Sequence, residues 1–483
     1  MRALAVSVFV SLMGCGGGES TSPAPLPSDR ALRVTLATAS DTIGAHLVGA
    51  LQVSVTEGTS RPVALAAVTF TVLRDDRFPL PGIALSASGD TTVTVRTTSS
   101  GTAAIDVDLG KYAGTFAVVV TAQGIARADT ATFTVQPGAV VSLRIPTQDT
   151  LVTVGASYKP LMFAADRAGN PPLNPPTLTS ARPMCRVNGP TVTATEIARC
   201  IFIARIGAQT DSFAVNAIPR VPVTVVVGRS MATMNLDGTA LKVIRSFSGA
   251  IFDPIHPAIG PGGLIAGIDV GGDGKTHVEI IDAAGSARFI PVDLPNGAEE
   301  NWPVFSRDGQ SLYFSACNWA YFEHCRVWQT NFDGSQVKIL TPSTGSSGHR
   351  TNWTAVSPDG RMLAYAAYGE RLHTLDLRTG KDVDLGILSD AFDFDSTGTK
   401  LVYVKDGFPL SPMFIANIDG SNPVAVASGR NFSGTAQWLP GGQWILSKSA
   451  FGAPTSGVLV NVTTGEVVPI RYSTPVSEIY IIR

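Results

Sequence analysis

The sequence predicts an all-β protein of several domains, and three observations carry that expectation. Short runs of alternating apolar and polar residues recur along the chain, as in Leu51–Val55, Val68–Val72, Thr92–Arg96, Ala104–Asp108, Phe116–Val120 and Ala131–Val135. A period of two is the spacing at which one face of a pleated strand is buried. The composition agrees: 48 glycines and 32 prolines punctuate the runs, only 15% of residues are charged, and helical periods rich in Glu, Lys and Leu are absent. β-branched residues fit a pleated surface, and Gly and Pro supply its turns. Beyond Pro222, finally, a strand–turn–strand word repeats several times. At 483 residues the chain exceeds what one core supports, so more than one domain is expected.

The extreme N-terminus differs from the rest. Met1-Arg2 precedes an apolar run from Ala3 to Met13, then Gly14-Cys15 and a polar stretch to Asp29 containing three prolines. The run is too short to span a bilayer as a helix and reads as a secretory signal over residues 1–14. Leu12-Met13-Gly14-Cys15 resembles the lipobox of bacterial lipoproteins. That resemblance implies cleavage before Cys15, lipid on its sulfur, and membrane attachment through the acyl chains. Gly16, where an Asp would favour inner-membrane retention, leans the expectation towards the outer membrane or cell surface. Residues 15–30 bury too little apolar surface to fold and are expected to form a tether. Net charge is −2 and the pI near 6.3, with no basic stripe to neutralise phosphates, so no nucleic-acid partner is expected.

Residues 31–137 read as one β-sandwich. Pro62-Val63, Gly101-Thr-Ala, Leu109-Gly110, Gly114-Thr-Phe-Ala-Val and the closing Phe133-Thr-Val-Gln-Pro-Gly138 resemble the Ig-like domains of invasin- and intimin-type adhesins. The likeness implies a fold and not an activity. Residues 138–221 read as a second, divergent module of that kind, opened by Asp149–Gly155, turned at Asp166–Asn170 and closed by Asp211–Val215.

Residues 222–483 carry the repeats. Trp302–Ser315, Trp353–Ala366, Phe392–Val404 and Gln437–Ser447 each read as strand, glycine turn and strand, with Asp308-Gly309 and Asp359-Gly360 at hairpin tips. A second turn recurs in step at Gly238, Gly285, Gly334, Gly380, Gly420 and Gly465, at intervals of 47, 49, 46, 40 and 45 residues. Four strands at this period make one blade of a β-propeller. Five blades begin near Ile255, Trp302, Trp353, Ala391 and Gln437. Val223–Ile244 and Val476–Ile482 are left over and together make a sixth, so both ends of the segment are expected to close the ring. Ser357-Pro-Asp-Gly360 and Ser306-Arg-Asp-Gly309 resemble the TolB-type, WD40-like repeat, which implies the same architecture. Trp302, Trp353 and Trp438 are read as one recurring core position.

After Cys15 four cysteines remain, and pairing Cys185 with Cys200 and Cys317 with Cys325 closes two short loops. An oxidising compartment favours that connectivity, each closure being worth about 2.5–3 kcal/mol in the chain-entropy model. Neither pair has zinc-ligand spacing, although His324 adjoins Cys325. The Cys317–Cys325 loop holds Trp319, Tyr321, Phe322 and His324, and a neighbouring loop holds His349 and Arg350. These form the candidate binding surface, because rigid aromatics make low-entropy anchors; packing over the disulfide is the rival reading. Asp269–Gly274 departs from a calcium loop at Gly271 and Ile280, so a turn is expected there. No metal or cofactor is expected.

No Gly-x-Ser-x-Gly, phosphate loop or paired-histidine motif occurs. The preferred expectation is therefore an exported, lipid-anchored binding or scaffold protein whose propeller engages a protein or glycan. The alternative is an extracellular or periplasmic hydrolase or lyase using polar residues at the channel mouth.

Overall fold

The computed structural model describes residues 29–74, 82–85, 88–228, 230–246, 258–282, 284–294, 299–318, 323–341, 351–367, 371–389, 391–405, 411–449, 456–472, 476 and 478–482. Among them the regular structure is β-strand, with one three-residue 3-10 turn at Pro261–Gly263. Packing divides the chain into two units, one running to Ser142 with Ala164–Asn174, the other Leu143–Phe163 with Pro175–Arg483.

The first unit is two sheets around one core. Arg30–Leu36, His46–Glu57, Thr102–Leu109 and Ile83–Ala84 lie side by side in one sheet, with Arg61–Pro62 on His46–Glu57. Ser40–Thr42, Asp129–Gln136, Gly114–Ala122, Ala67–Val72 and Thr92–Arg96 form the other. The alternation seen in sequence is what fills the space between them. Val53, Ile105 and Val107 from one sheet meet Phe70, Val118 and Phe133 from the other, all buried. The turn at Asp166–Asn170 belongs to this unit. Asp166 accepts from the backbone N–H groups of Gly138 and Ala168, each at 2.8 Å. Asn170 donates to the carbonyl of Lys111 at 2.7 Å.

The second unit begins with another pair of sheets. Asp149–Thr153, Gln209–Ile218, Ala198–Ile206 and Thr177–Thr179 form one; Ser157–Tyr158, Thr191–Ala194 and Cys185–Asn188 form the other. Cys185 and Cys200 are bonded and buried, and so join the two sheets covalently. Phe202 and Phe213 stack beside them with ring centroids 5.4 Å apart.

Among the described residues, six four-stranded antiparallel sheets follow, in a β-propeller. Sheet one is Ala258–Ile259, Ile265–Val270, Thr276–Ile281 and Ala287–Phe289. Sheet two is Glu299–Phe305, Ser311–Asn318, Glu323–Asn331 and Lys338–Ile339; sheet three is Thr351–Val356, Met362–Ala367, Arg371–Asp376 and Asp382–Leu388. Sheet four is Ala391–Phe394, Lys400–Val404, Met413–Asn417 and Val424–Val426; sheet five is Phe432–Trp438, Trp444–Ser449, Ser456–Asn461 and Val467–Arg471. The remaining sheet is split. Pro222–Val227, Ser230–Asn235 and Lys242–Ser246 take the last strand of the chain, Glu478–Ile481, as their first, with Val223 opposite Ile481.

The recurring glycines fall between the third and fourth strands of every sheet, the split one included, with φ from 68° to 89°. An L side chain is disfavoured there, which is why the turn repeats as glycine. The Ser-x-Asp-Gly words have an equally local cause. The Ser306 hydroxyl donates to Asp308 at 2.6 Å and accepts from the Ser311 N–H at 2.9 Å, while Asp308 accepts from Gln310 N–H at 3.0 Å. The motif closes a hairpin upon itself.

The turns also correct one expectation from the sequence. Gly309, Gly360, Gly398 and Gly442 donate to the carbonyls of Ser306, Ser357, Asp395 and Leu439. This register aligns Trp438 with Phe305, Val356 and Phe394, three positions beyond Trp302. Sheet five also begins at Phe432, five residues before Gln437, because Gly434 belongs to a bulge in its first strand and not to a loop.

The second pair of sheets is continuous with the propeller core. Leu151, Ile197 and Ile218 pack with Leu236, Leu459, Val468 and Ile470. Over that apolar contact Arg182 grips Glu466 with both terminal guanidinium nitrogens, at 2.6 and 2.7 Å. Glu466 also accepts from the Arg199 N–H at 3.1 Å, and Arg182 donates to the Arg199 carbonyl at 3.1 Å. Arg182 stands three residues before Cys185 and Arg199 directly before Cys200, so the disulfide fixes both. The bond from Arg182 holds the Glu466 carboxyl below its ordinary range. A lowered carboxyl stabilises the fold above its unfolded pKa, and that contribution is lost as pH falls through the folded value. An Arg182→Ala, Glu466→Ala double-mutant cycle in urea should give a coupling of about 1 kcal/mol at neutral pH that vanishes in acid. Purely additive mutants at neutral pH would show the pair to be idle.

Candidate functional site

The first strand of each sheet lies innermost, and all six contribute to one cavity of about 580 Å³. Ala258 and Ile259 come from sheet one, Trp302 to Phe305 from sheet two and Thr354 to Val356 from sheet three. Phe392 and Asp393, Gln437, and Tyr480 with Ile481 complete the ring from sheets four and five and the split sheet. The walls are aromatic and aliphatic with a few polar groups, a mixture suited to holding a ligand. The ionisable lining groups are Arg307, Asp393 and Tyr480.

Side chains stitch neighbouring first strands together. Asp393 accepts from the Trp438 N–H at 3.0 Å, and Gln437 accepts from the Ile481 N–H at 2.8 Å. Asp393 and Gln437 occupy the same repeat position, one residue before Phe394 and Trp438, so each reaches forward to the next sheet. Between sheets three and two the direction reverses: the Thr354 hydroxyl donates to the Trp302 carbonyl at 3.0 Å. Gln437 thereby fastens the chain's last strand to the channel wall.

Trp302 holds an unusual backbone. Its φ is +53°, and the pairing of Glu299–Phe305 with the next strand slips between Asn301 and Val304. A bulky residue in the left-handed region is rare, costs on the order of 1–3 kcal/mol, and persists only where its surroundings impose it. The bulge is what brings Trp302 into the lining, where it also packs against the cluster of Phe392, Phe394 and Tyr480. Nothing in the sequence signals this, since a residue before proline ordinarily stays extended.

Behind the bulge lies a buried acid. Glu300, 1% exposed, accepts with one oxygen from the Val278 N–H of sheet one. Its other oxygen makes no hydrogen bond and stands 3.9 Å from His277 Nδ1. The Nε2 of the same imidazole meets Asp273 at 3.0 Å. Burial pushes the Glu300 carboxyl up to about 7, against the opposing pull of the Val278 N–H and His277.

The sequence-derived candidates distribute as follows. Cys15, Trp319, Tyr321, Phe322, His349 and Arg350 lie outside the described residues. Cys317, His324 and Cys325 sit on strands of sheet two whose backbone alone is described there. Asp269–Gly274 runs from the end of the second strand of sheet one into the hairpin turn before the third, with Asp269 paired to Arg245. The described histidine side chains each face carboxylates: His46 meets Asp108, His277 meets Asp273, and His373 meets Asp382. Among the described residues no cluster has the makings of a metal site.

The raised Glu300 gives a pH prediction. The folded carboxyl keeps its proton to about pH 7 while the unfolded one releases it near 4.5, so between these values the folded state binds more protons. Stability therefore falls as pH rises through that window, by at most about 3 kcal/mol, and levels off above it. Urea titrations of the wild type and Glu300→Gln across the window should show that slope in the former and a flatter profile in the latter; parallel profiles would exclude the assignment.

No protein-family model and no curated protein matches the chain. Among solved structures it is similar to TolB from Acinetobacter baumannii, at 15% identity and a TM-score of 0.43, over 63% of this chain and 82% of that one. It is similar to the nidogen/laminin complex at 11% identity and a TM-score of 0.42, over 54% and 96%. A putative TolB from Agrobacterium tumefaciens gives 14% identity and a TM-score of 0.38, over 52% and 88%.

Proposed function

We propose that the chain is an exported, lipid-anchored cell-envelope protein in which two Ig-like modules carry a six-bladed, TolB-like propeller. The propeller binds a protein or glycan partner at its channel. The observation that carries this reading is the cavity lined by first strands from all six sheets, with Trp302, Phe392 and Tyr480 among its walls. Rigid aromatics ringed by a few polar groups provide contact area at low entropic cost.

Catalysis at the channel mouth calls for several converging ionisable groups. The described lining offers Arg307, Asp393 and Tyr480, and the Asp393 carboxylate is engaged by Trp438 N–H, so binding is the better-supported role. Export draws support from the signal-like N-terminus with its Cys15 lipobox resemblance, and from the bonded Cys185–Cys200 pair, since disulfides persist in oxidising compartments. The loop residues Trp319, Tyr321, Phe322, His324, His349 and Arg350 belong to the proposed partner surface on the strength of the sequence alone.

The soluble form beginning at Gly16, immobilised and incubated with envelope extract and with a glycan array, tests the proposal. A partner retained by the wild type should be lost roughly tenfold or more by Trp302→Ala, with the variant still folded by circular dichroism. Capture undiminished by Trp302→Ala would move the site away from the channel.

A further inference from the structure

Glu300 and His277 stand in an arrangement with one proton missing. With Nε2 donating to Asp273, a neutral His277 would present its Nδ1 lone pair towards the unpartnered oxygen of Glu300, 3.9 Å away. Two acceptors that face each other in a buried place repel; a proton on either turns the gap into a hydrogen bond. The orphaned oxygen belongs to a carboxylate that is 1% exposed, while the imidazole edge is 26% exposed and gives the proton its route from solvent.

Other charged groups lie on the elements packed against this pair. Asp269 on the second strand of sheet one and Glu279 on the third both pair with Arg245, at 3.3 and 2.8 Å. Asp273 in the intervening turn adds negative charge next to His277. Arg326 stands across Ala316 from Glu300, two strands away in sheet two. His277 is thus the titratable base facing Glu300, with Asp273 behind it.

Glu300 lies one residue before Asn301, the last regularly paired position ahead of the bulge that turns Trp302 into the channel. Its side chain ties that strand to sheet one through Val278 N–H, and Thr354 ties Trp302 to sheet three from the other side. We propose that Glu300 is a positioning residue: proton uptake between Glu300 and His277 draws the start of the strand towards sheet one, shifts Trp302, and so makes the channel responsive to pH. The effect on partner affinity rests on the binding role proposed above; the movement of Trp302 does not.

The test therefore reads Trp302 itself. The full chain is labelled with 5-fluorotryptophan, and its 19F spectrum is followed from about pH 5 to 9, a range that spans imidazole and raised-carboxyl titration. The Trp302 resonance is assigned by its loss in Trp302→Phe. It should move along a single titration with a midpoint near neutrality, and Glu300→Gln should hold it still. His277→Gln, which keeps the carboxyl but removes the base, should displace the midpoint and serves should Glu300→Gln fail to fold. A Trp302 resonance indifferent to pH, or one that titrates unchanged in either variant, overturns the proposal. Loss of partner capture with the titration intact would instead count against the binding role alone.

Discussion

The structure depends on one pairing: the last strand of the chain, Glu478–Ile481, lies against Pro222–Val227, more than two hundred residues away in sequence. Without it the split sheet would lack its innermost strand, and the channel would lack the wall made by Tyr480 and Ile481. An unpaired strand edge in that place would also be open to association with other chains. Val476, Ile479, Tyr480 and Ile481 are buried in the closed form, so the closure is held by apolar contact as well as by the ladder. Gln437 adds a polar fastening from sheet five.

The same closure explains why the second pair of sheets is joined so firmly to the propeller. Its contacts fall on the split sheet and sheet five, next to the join, through Leu151, Ile197 and Ile218 and through the Arg182–Glu466 pair. Thr153 reaches Asp237 in the turn of the split sheet at 2.6 Å. A disulfide in the small sandwich, far from the channel in sequence, therefore helps to fix the site where the ring was closed.

The repeats were legible because they are set locally. A turn that requires positive φ selects glycine whatever surrounds it, so Gly238 to Gly465 mark six sheets without knowledge of packing. The alternating runs of the first unit were legible for a similar reason, each strand having one buried face. The channel was not. Trp302 resembles a core residue until the bulge beside it is known, and that bulge depends on a partner strand and on neighbouring sheets. Nothing local singles out Glu300; the sheet packed beside it is what buries it. Arg182 and Glu466 lie 284 residues apart, beyond any pattern of spacing. Local backbone rules write the architecture into the sequence, whereas the site arises where sheets meet.

Ring closure is most directly tested by native-state hydrogen exchange, comparing peptides that cover Glu478–Ile481 and Pro222–Val227. If the last strand is integral to the propeller, the two should open together and with the same free energy, close to that of global unfolding. Rapid exchange of Glu478–Ile481 by local fraying, with Pro222–Val227 still protected, would contradict the account.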